Sequence, residues 1–395
     1  MAFDTAFFDE PIDRCCTACD KWDGLNLREG RELLPMWVAD MDFRCPPAVT
    51  EALVRRAQHP VYGYTTPTAA SVQAMLDYLR RRHQLSLTPD QQLMLPCVVT
   101  GLRAAVRALT QPGDAVLVQP PVYGPFFDAV RQNGRTLVEN PLLADARGFY
   151  SIDWAGLEAA FQRGIKLMLL CSPHNPVGRL WSAEELQRLY GLCRQYGVLL
   201  VADEIHCDFV YAPGAFYSAL RLDEAEDAPL VVLSSASKTF NLAGLQQSAL
   251  LTRNQSLKAA IASELRALGA VSGNIFALVA TEAAYREGDD WLDGLLAYLD
   301  RARALLRSEL TTRLPEAVLT PLEATYLGWI DLRAYGLTTD ELMRRTHAQG
   351  VAFTPGRFFG LREGEGFLRF NFACPHSQTV EAVRRLERAI RQPAP

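Results

Sequence analysis

Long apolar runs are missing from this chain of 395 residues. No stretch approaches the roughly 20 residues that a membrane-spanning helix needs, so a bilayer partner is not expected. Blocks of one charge are missing too. The formal net charge is −5 and no cluster of Lys and Arg offsets it, which argues against nucleic acid as the main partner. Met1-Ala2-Phe3-Asp4-Thr5 has neither a basic region nor a long apolar core, so no secretory signal is expected and the sequence reads as cytoplasmic. Its nine cysteines, an odd number scattered from Cys15 to Cys374, fit free thiols in a reducing compartment better than a disulfide framework. Cys15, Cys16 and Cys19 lie close together, but no second C-x-x-C and no H-x-x-x-H completes the set of about four ligands that zinc takes. No metal is expected. Internal repeats and low-complexity segments are absent as well.

What is present is a patterned globular chain. With 49% hydrophobic and 22% charged residues it can build ordinary cores, and its length exceeds one of them. A large domain plus a smaller one built from the termini is therefore expected. Residues 1–45 show no sustained period and are assigned to a segment packing with the small domain. Pro46-Pro47 opens an amphipathic helix. A second helix runs through Met75, Leu76 and Leu79, and a third starts near Thr100-Gly101-Leu102. From residue 115, short β-rich runs at 115–119, 135–139, 166–171, 198–203 and 230–234 alternate with helical patterns. That alternation predicts a mainly parallel sheet covered on both faces, a three-layer α/β/α large domain over residues 46–285. A further strand is expected at 248–251, followed by long helices to about residue 310. Residues 286–395 mix strands at 327–332 and 367–372 with helices and read as a smaller α+β domain.

The chain is organised around Val231-Val232-Leu233-Ser234-Ser235-Ala236-Ser237-Lys238-Thr239-Phe240-Asn241. Three apolar residues end a buried strand, and the small polar run sits at its carboxyl edge, where ligands bind in open α/β sheets. Serine hydroxyls and loop N–H groups hold phosphate, and a lysine beside them forms a Schiff base with a phosphorylated aldehyde. This points to pyridoxal phosphate. By itself the stretch also fits a solvated loop lysine, and Ser235-Ala236-Ser237-Lys238 fits the S-x-x-K of serine acylases. Those enzymes need S-D-N and K-T-G elements as well, and the sequence has neither. Other candidate groups fall at strand ends or helix starts. Thr100-Gly101-Leu102 offers free N–H groups to a phosphate, or is an ordinary helix cap. The turn Ser172-Pro173-His174-Asn175-Pro176 aims the Asn175 amide at the cleft, or is plain turn chemistry. Asp203 ends an apolar run; if buried it needs a cationic partner, which a pyridinium nitrogen would be, or else it is structural. Asp40 and Asp42 stand in an apolar setting and either cap a turn or line a site.

Asn175, Asp203 and Lys238 follow one another at the ends of successive strands, and here the sequence resembles the fold-type I pyridoxal-phosphate enzymes of the class I/II aminotransferase superfamily. Within it the chain is most similar to the MalY/PatB branch of cystathionine β-lyase-like carbon–sulfur lyases. The resemblance covers nearly the whole chain, through Ile12-Asp13-Arg14, Lys21-Trp22-Asp23, Ala39-Asp40-Met41-Asp42-Phe43, Tyr62-Gly63-Tyr64, Asp203-Glu204-Ile205-His206, Ser237-Lys238-Thr239-Phe240-Asn241, Glu323-Ala324-Thr325-Tyr326-Leu327, Pro355-Gly356 and Gly366-Phe367-Leu368-Arg369-Phe370-Asn371. It implies that Lys238 binds the cofactor and then removes the substrate's α-proton. Asp203 would pair with the ring nitrogen, Asn175 and His206 would belong to the cofactor site, and Tyr123 would stack on the ring. Gly101, Leu102, Ser235 and Ser237 would hold the phosphate, joined by Tyr64 from the partner subunit of a homodimer. Arg369 would bind the substrate carboxylate, with Asp40 also on the substrate side.

The implied reaction is β-elimination from L-cystathionine, cystine or S-substituted cysteines, giving thiol, pyruvate and ammonia. An aminotransferase shares every step up to the carbanion, and a regulator-binding role is a third reading. Three departures from the pattern stand out. His206 replaces the tyrosine of many aminotransferases, Leu242-Ala243-Gly244-Leu245-Gln246-Gln247 lacks their phosphate-binding arginine, and Cys15, Cys16 and Cys19 occupy a region where the family more often has Arg, Gly and Ser.

Overall fold

Seven strands form the larger sheet, in the order Gln92–Leu95, Ser248–Leu251, Leu230–Ser234, Leu199–Asp203, Leu167–Cys171, Ala115–Val118, Thr136–Glu139. The computed structural model describes residues 3–270 and 273–391. From Leu230–Ser234 to Thr136–Glu139 all neighbours are parallel. Ser248–Leu251 runs antiparallel to both of its neighbours.

The two-residue period of a strand divides this sheet between two cores. Leu167, Leu169 and Cys171 join one apolar cluster, with Val231, Leu233 and the helices Val98–Leu109, Pro125–Arg131 and Gln255–Ala267. Met168, Leu170, Leu230 and Val232 join the other, with the helices Trp154–Gln162 and Ala183–Tyr196. Burial on both faces is why these strands read as unbroken apolar runs. The result is the expected three-layer α/β/α arrangement.

A second sheet of five strands has the order Leu34–Met36, Val351–Pro355, Phe367–Asn371, Leu327–Asp331, Val318–Leu319. Its first strand comes from the N-terminal segment and lies parallel to Val351–Pro355. The sequence showed no period over residues 1–45. The structure places there the short helices Thr5–Asp9 and Leu25–Glu29, a turn of π-helix at Asp20–Gly24 and this strand, each too short to display one. The strands Gln92–Leu95 and Val351–Pro355 were likewise not anticipated. Asp289–Arg313 is a 25-residue helix that buries Leu292, Leu295, Leu299, Ala302, Leu306 and Leu310 along one stripe and packs on the terminal helix His376–Arg391. Among the described residues no helix is long and apolar enough to cross a membrane.

Candidate active site

Three parallel strands, Leu167–Cys171, Leu199–Asp203 and Leu230–Ser234, end on the same edge of the larger sheet. Their following loops, with Arg369 from the smaller sheet, enclose a cavity of about 200 Å³. Tyr123, Asn175, Asp203, His206, Ser237, Lys238 and Arg369 all line it, together with Val38, Ala39, Cys97, Val98 and Val99. The sequence had set these groups far apart; parallel strand ends bring them together.

Asp203 closes its strand at 5% exposure, and its carboxylate accepts the Ile205 N–H at 3.1 Å. Burial raises its pKa to about 7, against smaller opposing effects of that hydrogen bond and of Lys238. Such a carboxylate is stabilised by any cation brought into the cavity. His206 is also buried, with no partner for Nδ1. Burial first, then the positive charges of Lys238 and Arg369, push its pKa down to about 3, so the imidazole is neutral.

Arg369 stands in the strand Phe367–Asn371 at 3% exposure. Its Nη2 donates to the Trp37 carbonyl at 2.8 Å and its Nη1 to Asn175 Oδ1 at 3.2 Å, but Nε has no partner. Burial lowers its pKa to about 10, which leaves it a cation at neutral pH. A buried guanidinium paired with no carboxylate is a receptor for one. The Asn175 turn is held from behind: His174 Nε2 lies 2.9 Å from the Pro121 carbonyl and Trp181 Nε1 donates to the Cys171 carbonyl at 3.0 Å.

Lys238 reaches across the cavity and donates to the carbonyl of Ala39. Burial lowers its pKa to about 8; Arg369 lowers it further, while Asp40 and Asp203 oppose the fall. Its loop is tied on both sides. Ser235 Oγ accepts the Ser237 N–H at 3.0 Å and donates to the Gln247 carbonyl at 2.6 Å. Asn241, in the left-handed region at φ 60°, donates from Nδ2 to the carbonyls of Met41 and Phe43 at 3.0 and 2.9 Å.

Several expected residues stand elsewhere. The helix expected near Thr100 begins at Val98, so its free N–H groups lie at the cavity wall formed by Cys97, Val98 and Val99. Threonine is a preferred N-cap and cysteine is not, which is why the sequence placed the start too late. Gly101 and Leu102 are buried beneath that wall. The Gly101 N–H already binds the Cys97 carbonyl, and a Cβ on Gly101 would come within 2.6 Å of Leu95 and 2.9 Å of Leu233, so glycine serves packing there. Ser235 anchors the loop instead of lining the cavity. Asp40 is taken by Arg14, Nη2 to Oδ2 at 2.8 Å, and it is Val38 and Ala39, not Asp40, that line the cavity. Arg14 also meets Asp42 at 2.7 Å and the Cys19 sulfur at 2.9 Å, a hub that the sequence reading had not singled out. Cys15 and Cys16 are exposed, and the three cysteines do not converge as a ligand set. Tyr64 is fully exposed on its own chain and does not line this cavity.

The cavity suits pyridoxal phosphate group by group. Asp203 lacks a cation, Lys238 offers an amine of lowered basicity, and Arg369 has an unpaired donor. At one wall a 12-residue helix presents its N-terminus, and Ser237 lines the same cavity, an arrangement that could hold a phosphate without an arginine. Lys238 and Arg369 are the cations among the lining residues.

Fold and site together define a member of a large enzyme family: the chain belongs to the aminotransferase class I and II family, which matches residues 32–386. It is 41% identical over 387 residues to cystathionine beta-lyase PatB of Bacillus subtilis, covering 97% of this chain and 99% of that one. Protein MalY of Escherichia coli is 33% identical, with 97% of this chain and 98% of MalY covered. Among solved structures, cystalysin from Treponema denticola, which contains a pyridoxal 5'-phosphate cofactor, matches with a TM-score of 0.93 at 32% identity, over 97% of this chain and 98% of that one.

Proposed function

We propose that this protein is a pyridoxal-phosphate-dependent carbon–sulfur β-lyase that cleaves L-cystathionine, L-cystine or S-substituted cysteines to a thiol, pyruvate and ammonia. The observation that carries this reading is a single cavity holding a cation-seeking carboxylate, Asp203, an amine of lowered basicity, Lys238, and an unpaired guanidinium, Arg369. Relatives similar over nearly the whole chain bear the lyase name.

When bound, pyridoxal phosphate supplies an aldehyde that takes up the substrate amine and a pyridinium ring that accepts electrons from the α-carbon. Arg369 binds the substrate α-carboxylate through its planar fork, which fixes the α-carbon relative to Lys238. Lys238 Nζ then removes the α-proton, a task suited to a pKa near the operating pH. Asp203 would keep the ring nitrogen protonated. Asn175 would donate its amide to the ring's phenolic oxygen, Tyr123 would form a flat wall against the ring, and neutral His206 would add no charge. The N–H groups at Val98 and Val99, with Ser237, would hold the phosphate. With the α-proton gone, its electron pair forms a carbon–carbon double bond as the carbon–sulfur bond breaks; the departing thiolate takes a proton to leave as the thiol, and water hydrolyses the remaining enamine to pyruvate and ammonia.

Exposed Val61, Tyr62 and Tyr64 form an apolar group on the surface, which supports a homodimer in which Tyr64 of one subunit joins the phosphate site of the other. Nine free thiols support a cytoplasmic location. The test is to supply L-cystathionine, L-cystine and an S-alkyl cysteine without any keto acid and to quantify pyruvate, ammonia and thiol. Equal amounts over many turnovers, lost in Lys238→Ala, are expected. A single burst that restarts only when a keto acid is added would make the protein an aminotransferase.

A further inference from the structure

Behind Lys238 lies a second set of buried polar groups that the proposed chemistry leaves without a task. Thr239, 1% exposed, donates its hydroxyl to Asp208 Oδ2 at 2.6 Å. The other oxygen of Asp208 meets His83 Nε2 at 2.9 Å. His83 is the last residue of the helix Ala69–His83, and Asp208 lies in the loop that follows Asp203. Three separate parts of the chain are thus joined through one carboxylate, and all three side chains are buried. Asp208 stays ionised despite burial, because His83 and Thr239 outweigh its desolvation.

His83, Cys207 and Asp208 also place their donor atoms within 4.8 Å of one another, which raises the question of a metal. Both oxygens of Asp208 already hold side-chain partners, so hydrogen bonds within the cluster account for it. The location suggests a different purpose. Lys238 sits in a helix of only four residues, Ala236–Thr239, too short to be held by its own hydrogen bonds. Its orientation must come from side-chain anchors. Ser235 and Asn241 tie its two ends, and Thr239 is the anchor adjoining the lysine itself.

We propose that Asp208, braced by His83 and gripping Thr239, is a positioning residue for Lys238: it fixes the helix turn from which the lysine projects and so sets where the amine meets cofactor and substrate. The inference rests on the reading of Lys238 as the cofactor lysine. It also makes the Lys238 segment and the Asp203 loop one rigid unit, so that base and ring-nitrogen partner keep their spacing.

Thr239→Val tests it, because valine keeps the shape and removes only the hydroxyl. In the holoenzyme the visible circular dichroism of the bound cofactor should change, since that signal reports how the chromophore is held. Turnover of L-cystathionine should fall about tenfold or more with KM altered less than about threefold, as remote misplacement by ~1 Å costs up to ~100-fold. Thr239→Ser, which restores the hydroxyl, should recover both. Thermal unfolding of each variant separates a general loss of stability from a local misplacement. If Thr239→Val does not fold, His83→Gln, whose amide still donates to Asp208, and His83→Leu, which cannot, provide the same contrast in the same readouts. A variant lacking the contact that keeps the wild-type visible signal and turns over within about twofold of wild type would overturn the proposal. A wild-type protein that takes up no cofactor at Lys238 would instead remove the reading of the site on which the proposal rests.

Discussion

Lys238 should behave as a reactive amine far below the pH at which an ordinary lysine does. Burial is the main cause and Arg369 adds to it, while Asp40 and Asp203 hold the fall to a pKa of about 8, against an ordinary 10.5. At pH 7.5 roughly a quarter of such amines are neutral, against about 0.1% of ordinary lysines, a difference of about two hundredfold in reactive form. The assay is the rate at which apo-protein takes up pyridoxal phosphate, followed by absorbance across the pH range, with Lys238→Arg as background. The rate constant should rise and level off with a midpoint near pH 8. Arg369→Met removes a like charge and should move the midpoint up; Asp40→Asn removes an opposite charge and should move it down. A wild-type rate still climbing past pH 10, with neither variant shifting it, would refute the electrostatic account. The same group carries a stability signature of definite sign. Between about pH 8 and 10.5 the unfolded chain holds a proton on Lys238 that the folded chain does not, so apo-protein stability should rise through that window, and Lys238→Met should abolish the increment.

Arg369→Ala should lower kcat/KM for any amino-acid substrate by roughly 10- to 100-fold, the worth of a charge-assisted hydrogen-bonded contact, seen mainly as a raised KM in steady-state kinetics. Asp203→Asn removes the buried carboxylate of the cavity; cofactor affinity measured by fluorescence quenching and turnover should both fall, with the fold retained by far-UV circular dichroism. Leu170, 1% exposed in an interior strand of the larger sheet, should cost about 2–5 kcal/mol when cut to alanine, read as a lower denaturation midpoint.

The larger sheet was legible because its strands are buried on both faces and alternate with helices, a pattern that survives without any knowledge of contacts. The smaller sheet was half legible. Leu34–Met36 has three residues and gains its identity only by pairing with Val351–Pro355, more than 300 positions away, so no local period could announce it. Asn175, Asp203 and Lys238 could be expected together because parallel strands put their carboxyl ends on one edge, and the structure brings the three to one cavity. Arg369 stood out through its motif alone; its burial and its unpartnered Nε are tertiary facts. Where the sequence erred, local rules were overruled. Thr100 looked like a cap, yet the helix starts two positions earlier behind Cys97, and Gly101 is dictated by Leu95 and Leu233 packed against it. The Asp40 carboxylate looked available to a substrate until Arg14, 26 positions away, took it. The Asp208 contacts to His83 and Thr239 span 125 and 31 positions and carry no motif.

The most direct test of the site is to reduce the holoenzyme with borohydride and map the resulting pyridoxyl-phosphate adduct by mass spectrometry. The chain has only four lysines, Lys21, Lys166, Lys238 and Lys258, so the answer is unambiguous. The buried amine of Lys238 should carry the adduct at close to one per chain, and Lys238→Ala should carry none. Label on another lysine, or a chain that acquires none while its activity persists, would contradict the account.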